Sequence, residues 1–272
     1  MNQERECIRL RRKAGKGRMM KIIADLHTHT IASGHAYSTF MENMANAKEK
    51  GLKYLGVSDH APALDDAPKE TYFRNLKVIR KDWGTLQVLH GAELSILNEY
   101  GDLDLPPEVL DTLDYAIASL HYPVYPKEKR AYCTDAAIAA MSNPHVFILG
   151  HPDDDLMPLD YKAVTRAAKR YQVALEVNNS SLCPGSFREG AAGNYSKMLK
   201  LAKSLEVPVI VSSDSHICYD VGNMTRALAI LDECKFPKEL VVNSSLSRLT
   251  GFLADKKKAV ASAKGNRLPI AV

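Results

Sequence analysis

The chain has few cysteines, and their spacing gives them no structural role. The five cysteines among its 272 residues are Cys7, Cys133, Cys183, Cys218 and Cys234. They are odd in number, scattered and include no C-x-x-C pair, which excludes a disulfide framework and a thiolate zinc site. Cysteines of this kind are typical of a reducing compartment, so we expect a cytoplasmic protein.

Long apolar runs are also missing. No stretch approaches the roughly 18 apolar residues that a membrane span requires. The basic N-terminus lacks the apolar segment and the cleavage site of a signal peptide. Hydrophobic residues still make up 46% of the sequence, which is sufficient for a core. We therefore expect a globular domain that makes no contact with a membrane.

Positive charge is concentrated at the start of the chain. The formal net charge is +4, but residues 1–21 contain eight Lys and Arg and only two Asp and Glu, which leaves the remainder at −2. A domain of this charge lacks the basic surface that is typical of nucleic-acid binding. We predict a poorly ordered basic extension over residues 1–20, a domain over 21–255 and a C-terminal tail over 256–272. The run Lys256-Lys257-Lys258 is expected to be solvated.

Short apolar strands alternate with segments of helical periodicity along the domain. The strands contain little polar alternation, as expected when both faces of a parallel sheet are buried. The predicted helices span residues 39–50, 72–83, 134–141, 160–171, 194–205, 221–234 and 247–255. This pattern predicts an α/β fold built from β-α units with parallel strands. It fits either an open doubly wound sheet or a TIM-like (β/α)7 barrel.

Polar residues that bind metals follow these strands. Nine such residues lie at or just after predicted strand ends: His27, His29, His35, His60, Glu93, His121, His151, Asp214 and His216. His27 and His29 are two positions apart on an extended segment, so both side chains point to the same face. An open sheet binds its ligand at one crevice, whereas barrel enzymes collect site residues from many strand ends. The distribution therefore favours a closed or nearly closed barrel.

The types of these nine residues indicate the metal. Seven imidazoles and two carboxylates without a thiolate suit zinc, and also iron or manganese. Nine ligands are too many for one ion, so we expect two or three ions. Three divalent ions would retain about four positive charges, which hydroxide and an anionic substrate such as a phosphate ester would balance.

Four further polar residues near the strands receive other interpretations. His90 and His145 face away from the predicted site, so we expect structural or surface roles for them. Asp25 shares the face of His27 and is either a further ligand or an acceptor that orients an imidazole. Glu176 is interpreted as a buried acid whose neighbours satisfy it.

Several segments carry longer motifs. They are Asp25-Leu26-His27-Thr28-His29-Thr30, Ser58-Asp59-His60, the strand ends at Glu93, His121 and His151, and Ser213-Asp214-Ser215-His216. These motifs resemble those of the PHP (polymerase and histidinol phosphatase) superfamily over about residues 21–255. Residues 35–39 and 176–181 resemble the YcdX-type phosphatases in particular. The resemblance implies a distorted (β/α)7 barrel with a trinuclear zinc site.

The resemblance also implies how the ligands divide among three ions. His27, His29, Glu93 and Asp214 would hold the first ion. The second would share Glu93 and add His121 and His151, and the third would use His35, His60 and His216. The loops at 153–155 and 183–185 depart from the family pattern, so the identity of the substrate stays open.

This set of residues predicts a metal-dependent phosphatase. A metal-bridging hydroxide would attack the phosphorus of a small phosphomonoester, because a bound zinc ion lowers the pKa of water to about 7. The sequence contains neither a nucleophile elbow nor a P-loop. Arg188 is the first candidate for a substrate contact, followed by Tyr37 and Ser180. The leaving-group acid and the oligomeric state are not predicted.

Three alternatives stay open. A 3′–5′ nuclease would use the same site but needs a basic or aromatic groove, and aromatic residues make up only 7% of the chain. A non-catalytic PHP module stabilised by metals usually lacks some ligands, whereas all nine are present here. A metal-dependent amidohydrolase often needs a carboxylated lysine, and no lysine lies at a strand end.

Overall fold

Parallel strands and helices alternate through residues 20–265, which are the residues that the computed structural model describes. The strands are β1 Ala24–Asp25, β2 Tyr54–Val57, β3 Gln87–His90, β4 Glu93–Ser95, β5 Ala116–Ser119, β6 Val146–Leu149, β7 Ala174–Asn178 and β8 Val209–Ser212. The helices are α1 Phe40–Glu49, α2 Glu70–Asn75, α3 Pro107–Leu110, α4 Arg130–Ser142, α5 Tyr161–Tyr171, α6 Ala191–Leu205, α7 Thr225–Glu233 and α8 Leu246–Gly265. Cys7, the basic extension up to residue 19 and residues 266–272 lie outside this range.

The strands form two parallel sheets that follow one another in sequence order. The first sheet has the order β1-β2-β3, and the second has the order β4-β5-β6-β7-β8. Only Gly91 and Ala92 separate β3 from β4, and a parallel bridge between His60 and Glu93 continues the first sheet towards the second. β3 and β4 thus occupy one interrupted strand position, which leaves seven positions in the described chain.

Contacts between the first and last strands connect the two outer edges. Thr28 and Ser215 form a parallel bridge beyond the ends of β1 and β8. The Asn243 side-chain amide donates hydrogen bonds to the carbonyls of Ala24 (2.8 Å) and Val211 (2.7 Å). The fold is therefore the predicted α/β class with parallel strands, and these links are consistent with a distorted barrel.

The interior is closely packed around Tyr115, which lies just before β5. Its hydroxyl donates a hydrogen bond to the Leu26 carbonyl at 2.6 Å. A Cβ atom placed on Gly56 would lie 2.0 Å from this hydroxyl oxygen, and one on Gly91 would lie 2.4 Å from the ring. Glycine in β2 and between β3 and β4 therefore allows a buried tyrosine to bridge the interior.

The predicted helices are found, and two of them differ clearly in extent from the prediction. Thr39 begins α1 with a capping box to Glu42, and Asp160 caps α5, as their sequences indicate. The helix predicted over 72–83 instead begins at Glu70, and its last turn ends at Val78. Residues beyond it run beside β3, where the Lys81 carbonyl accepts from Val88 N–H at 2.8 Å. Pairing with a strand has overridden the helical periodicity there.

The last helix is longer than predicted, and part of its lysine run is buried. α8 continues past Asp255 to Gly265, so residues 256–265 are helical rather than a tail. Leu249 and Leu253 pack in the interior cluster that contains Phe147, and Lys256 follows on the same face with 2% exposure. The expectation that all three lysines are solvated is therefore wrong for Lys256. Within the described residues, no helix is both long and apolar enough to cross a membrane.

Replacing Lys256 with methionine is expected to stabilise the protein at pH 7. Burial lowers the pKa of Lys256 to about 8 from a usual 10.5. Its ammonium donates a hydrogen bond at 3.3 Å to the Tyr171 carbonyl and lies 5.4 Å from the Phe147 ring, and no carboxylate among the described residues pairs with it. We expect Lys256→Met to raise the free energy of unfolding at pH 7 by on the order of 1–3 kcal/mol. Urea denaturation measures this change.

The gain in stability from Lys256→Met should depend on pH. Between the lowered folded pKa and the usual value the unfolded chain binds more protons, so the stability of the natural protein rises with pH there. The advantage of Lys256→Met should therefore shrink at pH 10. Lys258→Met is the matched control, since the Lys258 side chain is 78% exposed. A Lys256→Met variant less stable than the natural protein at pH 7 would contradict the prediction.

Candidate metal centre

The carboxyl ends of the strands bring all nine predicted ligands into one cluster. His27 and His29 follow β1, His60 follows β2 and Glu93 begins β4. His121, His151 and the pair Asp214 and His216 follow β5, β6 and β8 in the same way. His35 comes from the loop after β1, and its imidazole ring centre lies 4.9 Å from those of His60 and His216. Residues that are far apart in sequence therefore meet at one end of the sheet.

Glu93 lies at the centre of the cluster, and its side chain is fully buried. Its Oε2 lies 2.8 Å from His60 Nδ1, 3.2 Å from His27 Nε2 and 3.5 Å from His29 Nε2. Its Oε1 lies 3.1 Å from His121 Nε2 and 2.8 Å from His151 Nε2. One carboxylate thus contacts five imidazoles that come from four different strand ends.

Several of these buried polar atoms have no hydrogen-bond partner within the described chain. They are His27 Nε2, His29 Nε2, His60 Nδ1 and Glu93 Oε2. The atoms lie close together, but their orientations do not allow a hydrogen bond. Buried polar groups are rarely left unsatisfied, and an ion is one of the few explanations for a group of them. The donor set therefore fits divalent cations.

Three groups of ligand atoms are compact enough to hold an ion, with all atoms of a group within 4.8 Å of one another. The groups are His27, His29 and Asp214; His29, His60 and His216; and His60, Glu93 and His121. The first agrees with one subsite that the family resemblance implies. His29 and His60 each belong to two groups, so the division of ligands among three ions stays a prediction.

Hydrogen-bond partners at the Nδ1 atoms of His27 and His29 orient these two imidazoles. Glu176 Oε1 lies 2.7 Å from His27 Nδ1, and its Oε2 accepts from the backbone N–H of His151 at 2.6 Å. Ser33 Oγ lies 3.0 Å from His29 Nδ1 and donates to Asp59 at 2.7 Å. These partners leave Nε2 of both histidines facing the cluster, as in many metal sites.

The sequence did not identify Glu176 and Asp59 as orienting residues. Glu176 is indeed a buried acid satisfied by its neighbours, but those neighbours belong to the cluster itself. Its position two residues before Asn178, on the same strand face, is the signal that was available. Asp59 precedes His60 in the motif Ser58-Asp59-His60. Nothing in the sequence indicates that its carboxylate orients His29 by accepting a hydrogen bond from Ser33.

The remaining polar residues of the sequence analysis lie outside the cluster. Asp25 accepts hydrogen bonds from the backbone N–H groups of Gly222 (2.7 Å) and Ser213 (3.1 Å), so it orients backbone rather than an imidazole. His90 contacts the Ile79 carbonyl at 2.9 Å, and His145 contacts Asp111 at 2.6 Å. These partners of the two histidines are not among the nine predicted ligands, which is consistent with the expected structural or surface roles.

Negative charge dominates the interior of the cluster. Burial by itself lowers the pKa of His27, but the carboxylates of Glu176, Glu93 and Asp214 outweigh it and raise that pKa well above its usual value. Burial, followed by His60 and His216, lowers the pKa of His29 well below its usual value. Its imidazole is therefore neutral and offers a lone pair. Divalent cations bound here would offset the negative charge of these three buried carboxylates.

Two of the predicted ligands adopt left-handed backbone conformations. The φ angle is 23° at His151 and 53° at Asp214. Such angles are uncommon for residues other than glycine and concentrate at functional sites. The backbone therefore carries strain where it turns these two side chains into the cluster.

A cavity of about 920 Å³ opens above the cluster. Its lining includes six of the nine predicted ligands, together with Arg188 and Ser180. Arg188 Nη1 donates to Asp214 Oδ2 at 3.1 Å and to Ser181 Oγ at 3.0 Å. Tyr37 is 78% exposed and is not among the described residues that line the cavity. Substrate contacts by Arg188, Ser180 and Tyr37 stay predictions.

Comparisons with known proteins agree with this geometry. The sequence model of the PHP domain matches residues 25–182. A probable phosphatase of Caldanaerobacter subterraneus subsp. tengcongensis is 41% identical over 247 residues, which cover 90% of this chain and 96% of the relative. A probable phosphatase of Clostridium novyi is also 41% identical, over 88% of this chain and 97% of the relative.

A solved structure supports the fold. Histidinol phosphate phosphatase of Lactococcus lactis, crystallised with zinc, L-histidinol and phosphate, superimposes with a TM-score of 0.59 at 18% identity. The match covers 79% of this chain and 94% of that enzyme. Sequence, fold and the convergence of the PHP motifs at one rim lead to the same conclusion: the chain belongs to the PHP domain family.

Proposed function

We propose that the protein is a metal-dependent phosphatase that hydrolyses a small phosphomonoester. The nine clustered residues would hold three divalent ions, with zinc as the proposed metal. One observation carries the proposal: unpartnered ligand atoms surround a buried carboxylate beneath a cavity that Arg188 also lines. The names of the curated relatives support a phosphatase, and the zinc and phosphate bound to the Lactococcus enzyme support the metal and the substrate class.

The ions would provide the chemistry that the side chains lack. Bound divalent cations acidify water and neutralise the charge on phosphoryl oxygens. His27, His29, Glu93 and Asp214 are the proposed ligands of one ion. A second ion would share Glu93 and add His121 and His151. His35, His60 and His216 complete the set.

The protein groups around the ions position the reactants. Glu176 would accept a hydrogen bond from His27 Nδ1 and so orient Nε2 of this imidazole towards the ion. Arg188 is buried to 9% exposure of its side chain and is held by Asp214 and Ser181. Its guanidinium has further N–H groups that would donate to phosphoryl oxygens in the cavity. No protein nucleophile is assigned in this scheme.

Replacing Glu176 with glutamine is expected to weaken metal binding. Glutamine fills the same space but presents a neutral amide to His27, so the preferred orientation and basicity of the imidazole are lost. Removing such a partner typically costs about 10–100-fold in metal affinity or activity. Titration of the metal-free Glu176→Gln variant with zinc, against a fluorescent chelator, measures the affinity.

A matched control separates this effect from general damage. Glu206→Gln alters an exposed glutamate that follows α6, remote from the cluster, and should bind zinc as the natural protein does. A Glu176→Gln variant with unchanged zinc affinity would show that the contact with His27 is incidental.

The direct test of the function is an assay with and without metal. The purified protein loaded with zinc should hydrolyse p-nitrophenyl phosphate, and a chelator that removes the ions should abolish the activity, with recovery on adding zinc. A labelled oligonucleotide tests the nuclease alternative in parallel. Undiminished phosphatase activity in protein shown by elemental analysis to be metal-free would overturn the proposal.

We also propose that this phosphatase acts in the cytoplasm, because its few scattered cysteines are typical of a reducing compartment.

A further inference from the structure

A group of apolar side chains lines part of the cavity above the metal centre, beside Lys127 and Asp153. The residues of this group are Leu120, Tyr122, Leu149, Leu156, Met157 and Leu159. Below they are called the apolar wall. They come from the ends of β5 and β6 and from the loop that follows β6. The wall therefore belongs to one sector of the fold rather than being scattered around the cavity.

The apolar wall begins directly at the metal centre. Leu120 and Tyr122 are the chain neighbours of His121, and Leu149 lies two residues before His151. Both histidines contact the same oxygen of Glu93. A phosphoryl group held at the cluster would therefore have its ester oxygen within reach of this wall.

The wall is preformed by the packing of the core. Leu149, Met157 and Leu159 belong to the largest described hydrophobic cluster and are 2%, 6% and 5% exposed. The acids of the same loop make hydrogen bonds within the protein, although Asp153 Oδ2 has no partner among the described residues. Asp154 Oδ1 accepts from the backbone N–H groups of Leu156 and Glu189 at 3.0 and 3.1 Å. Asp153 Oδ1 accepts from the Tyr195 hydroxyl at 2.8 Å.

The size and chemistry of the cavity indicate what it would bind. A volume of about 920 Å³ is near the upper end of the roughly 300–1,000 Å³ that is typical of pockets for drug-sized ligands. It is much larger than a phosphate group needs. A sugar or polyol against this wall would leave hydroxyl groups without partners, which is costly, whereas an alkyl or aryl group would be favourably removed from water.

We propose that the substrate is the phosphate monoester of a bulky apolar alcohol, whose alkyl or aryl group packs against the apolar wall. This proposal rests on the proposed phosphatase function and specifies its substrate class. The bond cleaved is the P–O bond of the monoester: water supplies the oxygen that phosphorus gains, and the released alcohol takes up a proton.

The test compares alkyl phosphates whose leaving groups have similar acidity, so that intrinsic reactivity does not decide the result. We expect kcat/KM of the zinc-loaded protein to be at least about tenfold higher for 2-phenylethyl phosphate and hexyl phosphate than for ethyl phosphate. The kcat/KM for glycerol 3-phosphate should be similar to that for ethyl phosphate. Leu156→Ser and, independently, Tyr122→Ala should reduce the ratio between 2-phenylethyl and ethyl phosphate to below about threefold. Tyr122 belongs to the apolar wall and is 64% exposed, so its replacement should not prevent folding.

The control and the contradicting outcomes are distinct. Tyr100→Ala removes an aromatic ring that is 75% exposed and does not line the cavity, and it should leave the ratio unchanged. Activity on ethyl or glycerol phosphate equal to that on the bulky esters would overturn this inference alone. A zinc-loaded protein that hydrolyses none of these esters nor p-nitrophenyl phosphate would overturn the proposed function, and the inference with it.

Discussion

Glu93→Gln is expected to lower kcat/KM for p-nitrophenyl phosphate by more than about 100-fold and to reduce the number of bound metal ions. Changing a residue that only orients a ligand costs about 10–100-fold, and a direct ligand should cost more. Glu93 is the carboxylate that five imidazoles contact, at distances of 2.8 to 3.5 Å. Glutamine preserves its volume and its bond from Ser119 but removes the negative charge. Elemental analysis after gel filtration gives the metal content, and steady-state kinetics give kcat/KM.

A second glutamate serves as the control for this substitution. Glu99 is exposed in the loop after β4, so Glu99→Gln should leave both the metal content and the activity unchanged. Circular dichroism should show that Glu93→Gln remains folded. A folded Glu93→Gln variant with unchanged metal content and unchanged turnover would show that the Glu93 carboxylate is not required as a metal ligand.

Arg188→Ala is expected to lower kcat/KM by about 10²–10³-fold while leaving the metal content unchanged. Removing one preorganised donor from a developing negative charge typically has an effect of this size. Asp214 and Ser181 fix the guanidinium beside the cluster, and Asp214, with Asp153, raises its pKa by outweighing burial, which by itself lowers it. The arginine therefore stays charged at every pH of interest. The ratio of activity to bound metal distinguishes this variant from Glu93→Gln.

Two further variants sharpen the prediction for Arg188. Arg188→Lys keeps the charge but loses the planar donor pair, so it should recover only part of the activity. Arg166→Ala removes an exposed arginine from α5 and should change nothing. Turnover by Arg188→Ala within twofold of the natural protein would exclude a contact with the phosphoryl group.

The cluster was predictable from sequence because parallel strands end at a common edge. His27, Glu93, His121 and Asp214 each follow or begin an apolar strand, so chain order alone placed them at one rim. The division of the nine residues among ions was not predictable in the same way. It depends on how far each imidazole reaches, and in the structure His60 belongs to two groups.

The partners of buried charged residues were the least predictable part of the fold. Glu176 lies on β7, which pairs with β8 in a register that places Glu176 opposite Ile210. A bridge between Thr28 and Ser215 then joins the ends of β8 and β1, where His27 lies. Both pairings are tertiary properties. Lys256 appears in a basic run, yet it follows Leu249 and Leu253 on the helix face that packs inward. Composition indicated a solvated lysine, and the geometry of the helix decided otherwise.

Anomalous scattering from a crystal grown with zinc would show whether the nine side chains hold metal ions. We expect three strong zinc peaks enclosed by these side chains. Data collected on both sides of the zinc absorption edge would identify the element. A zinc-replete crystal in which these imidazoles surround no anomalous peak, or in which zinc lies only at the surface of the molecule, would contradict the account.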